Sequence, residues 1–544
     1  MIAKLSFTKL IVIALSGSLL ASCSDPPAPD AGQPPRTDVS QLPLISCQLT
    51  LTEMQSGYEQ GTFTAKNVVH AYLARIGAYE SAYNAFTFIN PDAVDEARNI
   101  DRMRNDCEAL GPLAGVPIVI KESMDFIGSP STAGWHRLSS QSNGVVLLPT
   151  ENAIVVQRLI DAGAIILGKT NIPAFSDDGT RANSSWAGPT YNAVDRDLAP
   201  GASSSGTATA VAAGFAPVGL AEETGGSIQN PAGAQSLVGI KPTFGLVPTT
   251  GVVPLAGTTR DVVGPIATNV RDAALVLDVI AGSSTYDPKT AGADAHLPAG
   301  GYTSQLSVSA LQGKRIGLYG PGWRSVALSA ETTTLYEQAI DELEAQGAIV
   351  VTDPFAGSGF ADLALAGEPY DYRGTESVAY DYTQYLDGLG VPSITALEQM
   401  IGVSPFDPGE PLYWYVEALP TLAASLQNPG VLPDLSEFFT LRASYLTTFN
   451  QVVDMNDLDA LVFPQTTDVI PALFSSELIS ETTVSAINIA GLPAVTVPGG
   501  VYANGAPFSL IFVGPLWSEA TLLALAYDYE QATHHRVIPQ LTTQ

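Results

Sequence analysis

An α/β fold is what this 544-residue sequence predicts: a large, mixed central β-sheet with helices, plus a mostly helical insertion. Two observations carry that prediction. Short apolar runs of strand length alternate along the chain with segments whose apolar residues fall at helical spacing. Hydrophobic residues make up 46% and charged residues only 14%, with 49 Gly and 39 Pro, which suits a large, well-buried, loop-rich protein rather than a disordered or coiled-coil one. Length alone admits one very large domain or two to three ordinary ones. No internal repeat is present.

Residues 1–22 read as an export signal and not as part of the fold. Lys4 and Lys9 supply a positive start, and Leu10 to Leu20 is apolar but too short to span a bilayer as a mature helix. The run closes on Leu20-Ala-Ser-Cys23, small residues before a cysteine as in the bacterial lipobox, so Cys23 is expected to carry a lipid and become the N-terminus. Residues 23–43 form a Pro-rich tether, and residues 44–540 are the expected domain. No later stretch is long and apolar enough to cross a membrane. Export would place Cys47 and Cys107 in an oxidising compartment, where they are candidates for a disulfide; two separate buried thiols are the alternative.

Within the domain, Val68, Val69, Tyr72, Leu73 and Ile76 fall at helical spacing after Thr64, a residue suited to capping. Asn90-Pro91 opens a second helix that runs towards Cys107. Val116 to Ile120 is an apolar strand ending at Lys121. Ala153 to Ala162 reads as a helix stopped by Gly163, and Ala164 to Leu167 as the next strand. Helices follow at Thr207 to Ala213 and Val270 to Ile280, then a strand from Arg315 to Tyr319. Ala330 to Gln346 is helical and Ala348 to Thr352 a strand. Val462 to Pro464 and Ala494 to Val497 are further buried strands, and Ser518 caps a closing helix that reaches Gln531. Residues 355–445, rich in Tyr, Leu, Pro and Asp, form the helical insertion, expected to cover a binding site.

The charge balance excludes one class of function. Lys plus Arg is 24 against 54 Asp plus Glu, a formal net charge of −30, and no basic cluster breaks the trend. Such a surface repels a phosphate backbone, so no nucleic-acid partner is expected. Five histidines, at 70, 136, 296, 534 and 535, show no metal-ligand spacing. The nearest approach to a G-x-S-x-G elbow, Gly201-Ala-Ser-Ser-Ser205, has Ser where the second Gly belongs.

Three segments remain that carry chemistry. Gly111-Pro-Leu-Ala-Gly-Val-Pro-Ile-Val-Ile-Lys121 puts a lysine at the end of an apolar strand, where desolvation disfavours the ammonium and favours a working base. Pro200-Gly-Ala-Ser-Ser-Ser-Gly206 and Glu223-Thr-Gly-Gly-Ser227 are small-residue loops, and a Gly-Gly-Ser turn can aim successive backbone N–H groups at one point. Singly, each loop reads as an ordinary turn; the ordered set does not.

Together these segments resemble the amidase signature family, serine hydrolases with a Ser-cisSer-Lys triad. The family pattern runs G-P-L-x-G-V-P-x-x-x-K-D, then P-G-G-S-S-G-G-S, then G-T-D-T-G-G-S-I-R-x-P-A, matched here by residues 111–122, 200–207 and 221–232. Ala162-Gly-Ala-Ile-Ile-Leu-Gly-Lys-Thr-Asn171, Leu237-Val-Gly-Ile-Lys-Pro-Thr243 and Ile489-Ala-Gly-Leu-Pro-Ala-Val-Thr-Val-Pro498 match as well. The resemblance implies Ser227 as nucleophile, Ser203 as bridging serine beside a cis peptide, and Lys121 as terminal base. It implies an oxyanion hole from the backbone N–H groups of Thr224, Gly225, Gly226 and Ser227, with Ser204 bonded to Lys121. The implied reaction is hydrolysis of a small-molecule amide, ester or carbamate with no metal or organic cofactor. Ala202, Ser205 and Thr207 depart from the second motif; if the Gly of 202 or 205 normally takes positive φ, the loop must relax. Glu223 stands for the usual Asp, Gln229 for the usual Arg, and Ala114 and Glu122 are milder changes.

The pocket is expected between segments 122–190, the insertion and residues 464–490, with Tyr370, Tyr372, Tyr380, Phe406, Trp414 and Phe463 as aromatic candidates and an apolar or aryl amide as substrate. Two other readings stay open: a lipid-anchored solute-binding protein, which a serine-directed reagent would not label, and an amidotransferase component, which export disfavours. Oligomeric state is not legible in the sequence.

Overall fold

The structure, a computed structural model, describes residues 49–365 and 370–543. Cys23, Cys47, the export signal and the tether lie outside the described residues. Among those described, strands β1 (Phe86–Ile89), β2 (Pro117–Lys121), β3 (Ile165–Thr170), β4 (Val218–Glu223), β5 (Val238–Lys241), β6 (Val262–Ala267), β7 (Arg315–Leu318), β8 (Ile349–Val351), β9 (Ala460–Pro464), β10 (Ala494–Val501) and β11 (Pro507–Val513) form one sheet. Its order is β1-β3-β2-β4-β6-β5-β10-β11-β9-β7-β8. Strand β2 runs parallel to β3 and β4, and β7 parallel to β8 and β9; the remaining pairs are antiparallel. The predicted mixed α/β sheet is therefore present.

Strands β2 to β6, β9 and β11 are buried along their whole length. Helices cover both faces, so these strands read as continuous apolar runs without alternation. The helix Ala65–Tyr83 starts where Thr64 places it: the Thr64 side chain accepts from Asn67 N, and Asn67 reciprocates in a capping box. Val270–Ile280 matches its predicted bounds, capped by Asn269. Pro91 lies outside its expected helix, which runs Ala93–Asn105 behind Asp92. The strand expected over 348–352 shortens to Ile349–Val351 at the sheet edge.

Between β8 and β9 the described chain is helical, with Val378–Gly388, Ile394–Ile401, Tyr413–Ala418 and Pro420–Ser425 lying within 355–445. The helix Ser436–Asn456 crosses the expected end of that region. Trp135, Phe175, Tyr382, Leu397 and Tyr415 form a separate apolar cluster that fastens the insertion to the loops after β2 and β3. Cys107 is disulfide-bonded.

Candidate active site

The parallel pairing of β2 with β4 sets Ile120 beside Leu220, so both strands end at the same edge of the sheet. Lys121 ends β2, and Glu222 and Glu223 end β4. Functional side chains gather at such carboxyl ends because the helices and loops that follow leave a crevice there. The lysine is wholly buried, and its Nζ lies 2.7 Å from Ser203 Oγ, 2.8 Å from Glu222 Oε2 and 3.0 Å from the Glu222 carbonyl oxygen. Ser203 is reached through a cis peptide bond after Ala202, and it is equally buried.

The loop carrying Ser203 needs glycine at one place. Gly201 has φ +70°, and a Cβ there would come within 2.5 Å of the Asn230 carbonyl oxygen and Pro231 Cα. Ala202 and Ser205 do not take positive φ, and Ser205 opens the helix Ser205–Ala212, so neither replacement strains the loop. Thr207 Oγ1 lies 2.7 Å from Thr170 Oγ1, which ties that helix to β3.

One expectation is corrected. Ser204 does not bond Lys121; its hydroxyl donates to the Glu222 carbonyl oxygen at 3.3 Å, an acceptor it shares with the lysine.

The third segment forms the turn expected of it. Among the described residues, the backbone N–H groups of Thr224, Gly225, Gly226 and Ser227 donate to no protein acceptor, whereas the next two are tied down. Ile228 N and Gln229 N donate to Glu223 Oε2 at 2.8 and 3.1 Å, and the Gln229 side-chain amide donates to Glu223 Oε1. Asn488 Nδ2 adds a bond of 2.9 Å, so neutral amides hold Glu223 where the family pattern would supply an arginine. Four unengaged amides on a turn with Gly226 at φ +96° can hold a developing oxyanion. Ser227 is 6% exposed and lines a cavity of about 310 Å³; no hydrogen bond joins its hydroxyl to Ser203 Oγ among the described residues.

That cavity has an apolar wall of Leu255, Tyr370, Trp414, Tyr415, Leu478 and Ile479. Its polar wall is acidic: Asp177, Asp178 and Glu481 line it, with no Lys or Arg among the described lining residues. Burial pushes all three carboxyls up, Asp177 well above the usual range, against the opposing bonds from Trp414 Nε1 and Tyr415. Of the six aromatic candidates, Tyr370 and Trp414 reach the cavity. Phe463 is packed against Trp323, and Phe406 lies in the cluster beneath the insertion.

Sequence reasoning missed Glu222, Asp261 and the acidic wall. Asp261 accepts from Thr224 Oγ1 at 2.5 Å and from the amides of Leu255 and Ala256; burial first, then the nearby Glu222, push its carboxyl up to about 7. A signal for Glu222 existed, since a carboxylate stands at the end of an apolar strand where the pattern has Thr. Glu122 is fully buried 3.8 Å from Lys169 and accepts from Thr132 N and Oγ1. No group of metal-ligating side chains occurs among the described residues.

Known proteins resemble this chain over most of its length. The Amidase family model matches residues 67–370, more than half of the sequence. A glutamyl-tRNA(Gln) amidotransferase chain from Moorella thermoacetica is 32% identical over 507 residues, covering 91% of this chain and 98% of that protein. The structure of native peptide amidase from Stenotrophomonas maltophilia is 31% identical, superposes with a TM-score of 0.75, and covers 92% of this chain and 100% of its own. An amidase family protein from Bacillus anthracis gives 26% identity and a TM-score of 0.72 over 92% of this chain and 93% of its own.

Proposed function

The chain belongs to the amidase family, and from that premise we propose that it hydrolyses the C–N bond of a carboxylic amide through an acyl-enzyme on Ser227. The supporting observation is the buried Lys121–Ser203 contact of 2.7 Å, set beside a serine turn whose amides are unengaged. Neutral Lys121 accepts the Ser203 proton while Ser203 accepts that of Ser227, and Ser227 Oγ attacks the carbonyl carbon. The displaced π pair moves to the carbonyl oxygen, held by the amides of Thr224 to Ser227, where each well-aimed donor contributes about 10²–10³ in rate. Collapse breaks the C–N bond, and the proton returns through Ser203 to the leaving amine. Water then releases the acid by the same relay. Esters and carbamates place a carbonyl in the same position and are further candidate substrates.

The cavity supports an apolar or aryl amide against Trp414, Tyr415 and Tyr370. Its three carboxyls offer acceptors to N–H donors on the substrate. A peptide-like amide, as the name of the Stenotrophomonas relative suggests, meets both demands. The tRNA in the name of the Moorella relative does not carry over, since a net charge of −30 opposes a phosphate backbone. A lipid on Cys23 and the tether over 23–43 would hold the enzyme outside the cytoplasm, and a Cys47–Cys107 bridge would suit that compartment. Loss of the protein from the membrane fraction in Cys23→Ser would support the anchor; unchanged fractionation would refute it.

The test of the activity is a panel of aryl, acyl, peptide-amide and carbamate substrates, with Ser227→Ala as control. Turnover of at least one amide that vanishes in the variant is expected. A wild-type protein that turns over none, and is not labelled by a sulfonyl fluoride, would instead be a solute-binding protein.

A further inference from the structure

Lys121 has more partners than a Ser-Ser-Lys relay requires. A neutral amine has two N–H donors and one lone pair, and an ammonium has three donors. Three acceptors surround Nζ: Ser203 Oγ, the Glu222 carbonyl oxygen and Glu222 Oε2. With two donors spent on Glu222, the remaining valence points at Ser203 in either protonation state. Before transfer it is the lone pair; after transfer it is the third N–H. The Glu222 side chain is 1% exposed and lies 2.8 Å from the wholly buried Lys121 nitrogen, so water does not screen the charge that nitrogen gains on transfer. Ser123 Oγ bonds the same carboxylate oxygen at 3.3 Å and fixes its place.

We propose that Glu222 is a positioning residue for the relay, orienting the Lys121 lone pair towards Ser203 and stabilising the ammonium formed as Ser227 attacks. This rests on the assignment of Lys121, Ser203 and Ser227 above. No proton passes to Glu222: it stays a carboxylate while the Ser203 proton moves to Lys121 and back to the leaving amine. The role parallels that of the aspartate in a Ser-His-Asp triad, which orients the base and stabilises its charged form without being protonated. Other groups also face this carboxylate. Asp261 approaches from the start of β6, with Lys289 acting on it in turn, and Lys121 and Ser123 come from the end of β2.

The experiment is the pH dependence of kcat/KM on a susceptible amide, with the rate of Ser227 labelling by a sulfonyl fluoride as a readout free of deacylation. Glu222→Gln keeps the shape and removes the charge, so the ammonium loses its counter-charge. The acid limb is expected to move about one pH unit or more downward, the shift an opposite charge at this range produces. The plateau should fall about 10- to 100-fold, because the ammonium is also less stable in the transition state. Glu222→Asp keeps the charge and shortens the reach; its limb should stay near the wild-type position while the plateau drops about fivefold or more. Asp261→Asn, measured alongside, separates the second carboxyl: on this proposal it does not reproduce the Glu222→Gln shift.

A Glu222→Gln enzyme with wild-type plateau and limb overturns the proposal, as does a lowered plateau with an unmoved limb, which marks a structural role. If the Gln variant does not fold, a wild-type plateau in Glu222→Asp overturns it equally. Failure of the underlying mechanism has a different signature, in which Lys121→Ala and Ser227→Ala themselves retain turnover.

Discussion

Behind Ser227, Lys121, Ser203 and Glu222 lie at or beside strand ends of the central sheet and are at most 1% exposed. In front of it, Asp177 and Asp178 come from the loop after β3, Trp414 and Tyr415 from the insertion, and Leu478 and Glu481 from the chain after β9. Leu478, on the rim, is 58% exposed. One side is dry and held by eleven strands; the other is assembled from segments far apart in sequence. Proton relays demand contacts fixed to within about 0.5 Å, which sheet ends provide. Substrate preference tolerates, and benefits from, a wall that can change without disturbing the sheet.

The largest effects should come from breaking the dry side. Ser227→Ala and Lys121→Ala are each expected to lower kcat/KM by about 10⁴-fold or more, as removal of members of such a unit does. They should differ in stability. Lys121→Ala strands the Glu222 carboxylate in the interior, a loss of about 3–5 kcal/mol, whereas Ser227→Ala leaves no buried charge unpaired. Denaturant unfolding of the two variants checks this; equal stability would mean that the Lys121–Glu222 pair is not buried as described.

Next comes the seam between the two sides. A Cβ on Gly225 would lie 2.5 Å from the Tyr370 ring, so Gly225→Ala forces ring or turn to move. A drop of about tenfold or more in kcat/KM is expected from misplaced oxyanion donors. Tyr370→Ala added to it should recover part of the loss, and strict additivity in the double-mutant cycle would refute the contact. On the open side alone, Trp414→Ala should raise KM about tenfold with kcat within about threefold, since it removes binding surface and leaves the relay untouched. A selective fall in kcat would contradict the division of labour.

The smallest expected effect concerns pH. Burial pushes Glu80 and Glu530 up to about 7 in the folded chain, despite the amides of Phe86 and Val270 that bond them. In the unfolded chain both lose their protons near the ordinary carboxyl value. Between roughly pH 4.5 and 7 the folded state therefore binds more protons, and these groups' stabilisation, present below that window, is lost as pH rises through it. Unfolding midpoints should fall between pH 5 and 7, and Glu80→Gln or Glu530→Gln should flatten that slope.

Much of the dry side was legible because its chemistry needs particular residues in a fixed order: a strand-end lysine, then two small-residue serine loops. Helix 65–83 was legible from apolar spacing and the capping Thr64, and helix 270–280 from the alternation of helical and strand segments. Strands β4, β5, β6 and β11 were not, since burial on both faces erases alternation and short runs such as Val218-Gly-Leu-Ala resemble turns or helix pieces. Glu222 was missed together with β4, since only the pairing of that strand with β2 shows that Lys121 lies beside it. Asp177 looked like a loop residue for the same reason: the indole that covers it lies 237 positions further along the chain.

The central claim is that Ser227 is a nucleophile activated by Lys121 through Ser203. Its most direct test is mass spectrometry of the full-length protein after reaction with an aryl sulfonyl fluoride. The account predicts one adduct, on Ser227, formed in the wild type and lost or slowed at least a hundredfold in Lys121→Ala and Ser203→Ala. Labelling of Ser227 at an unchanged rate in those variants, or an adduct on another residue, would contradict it.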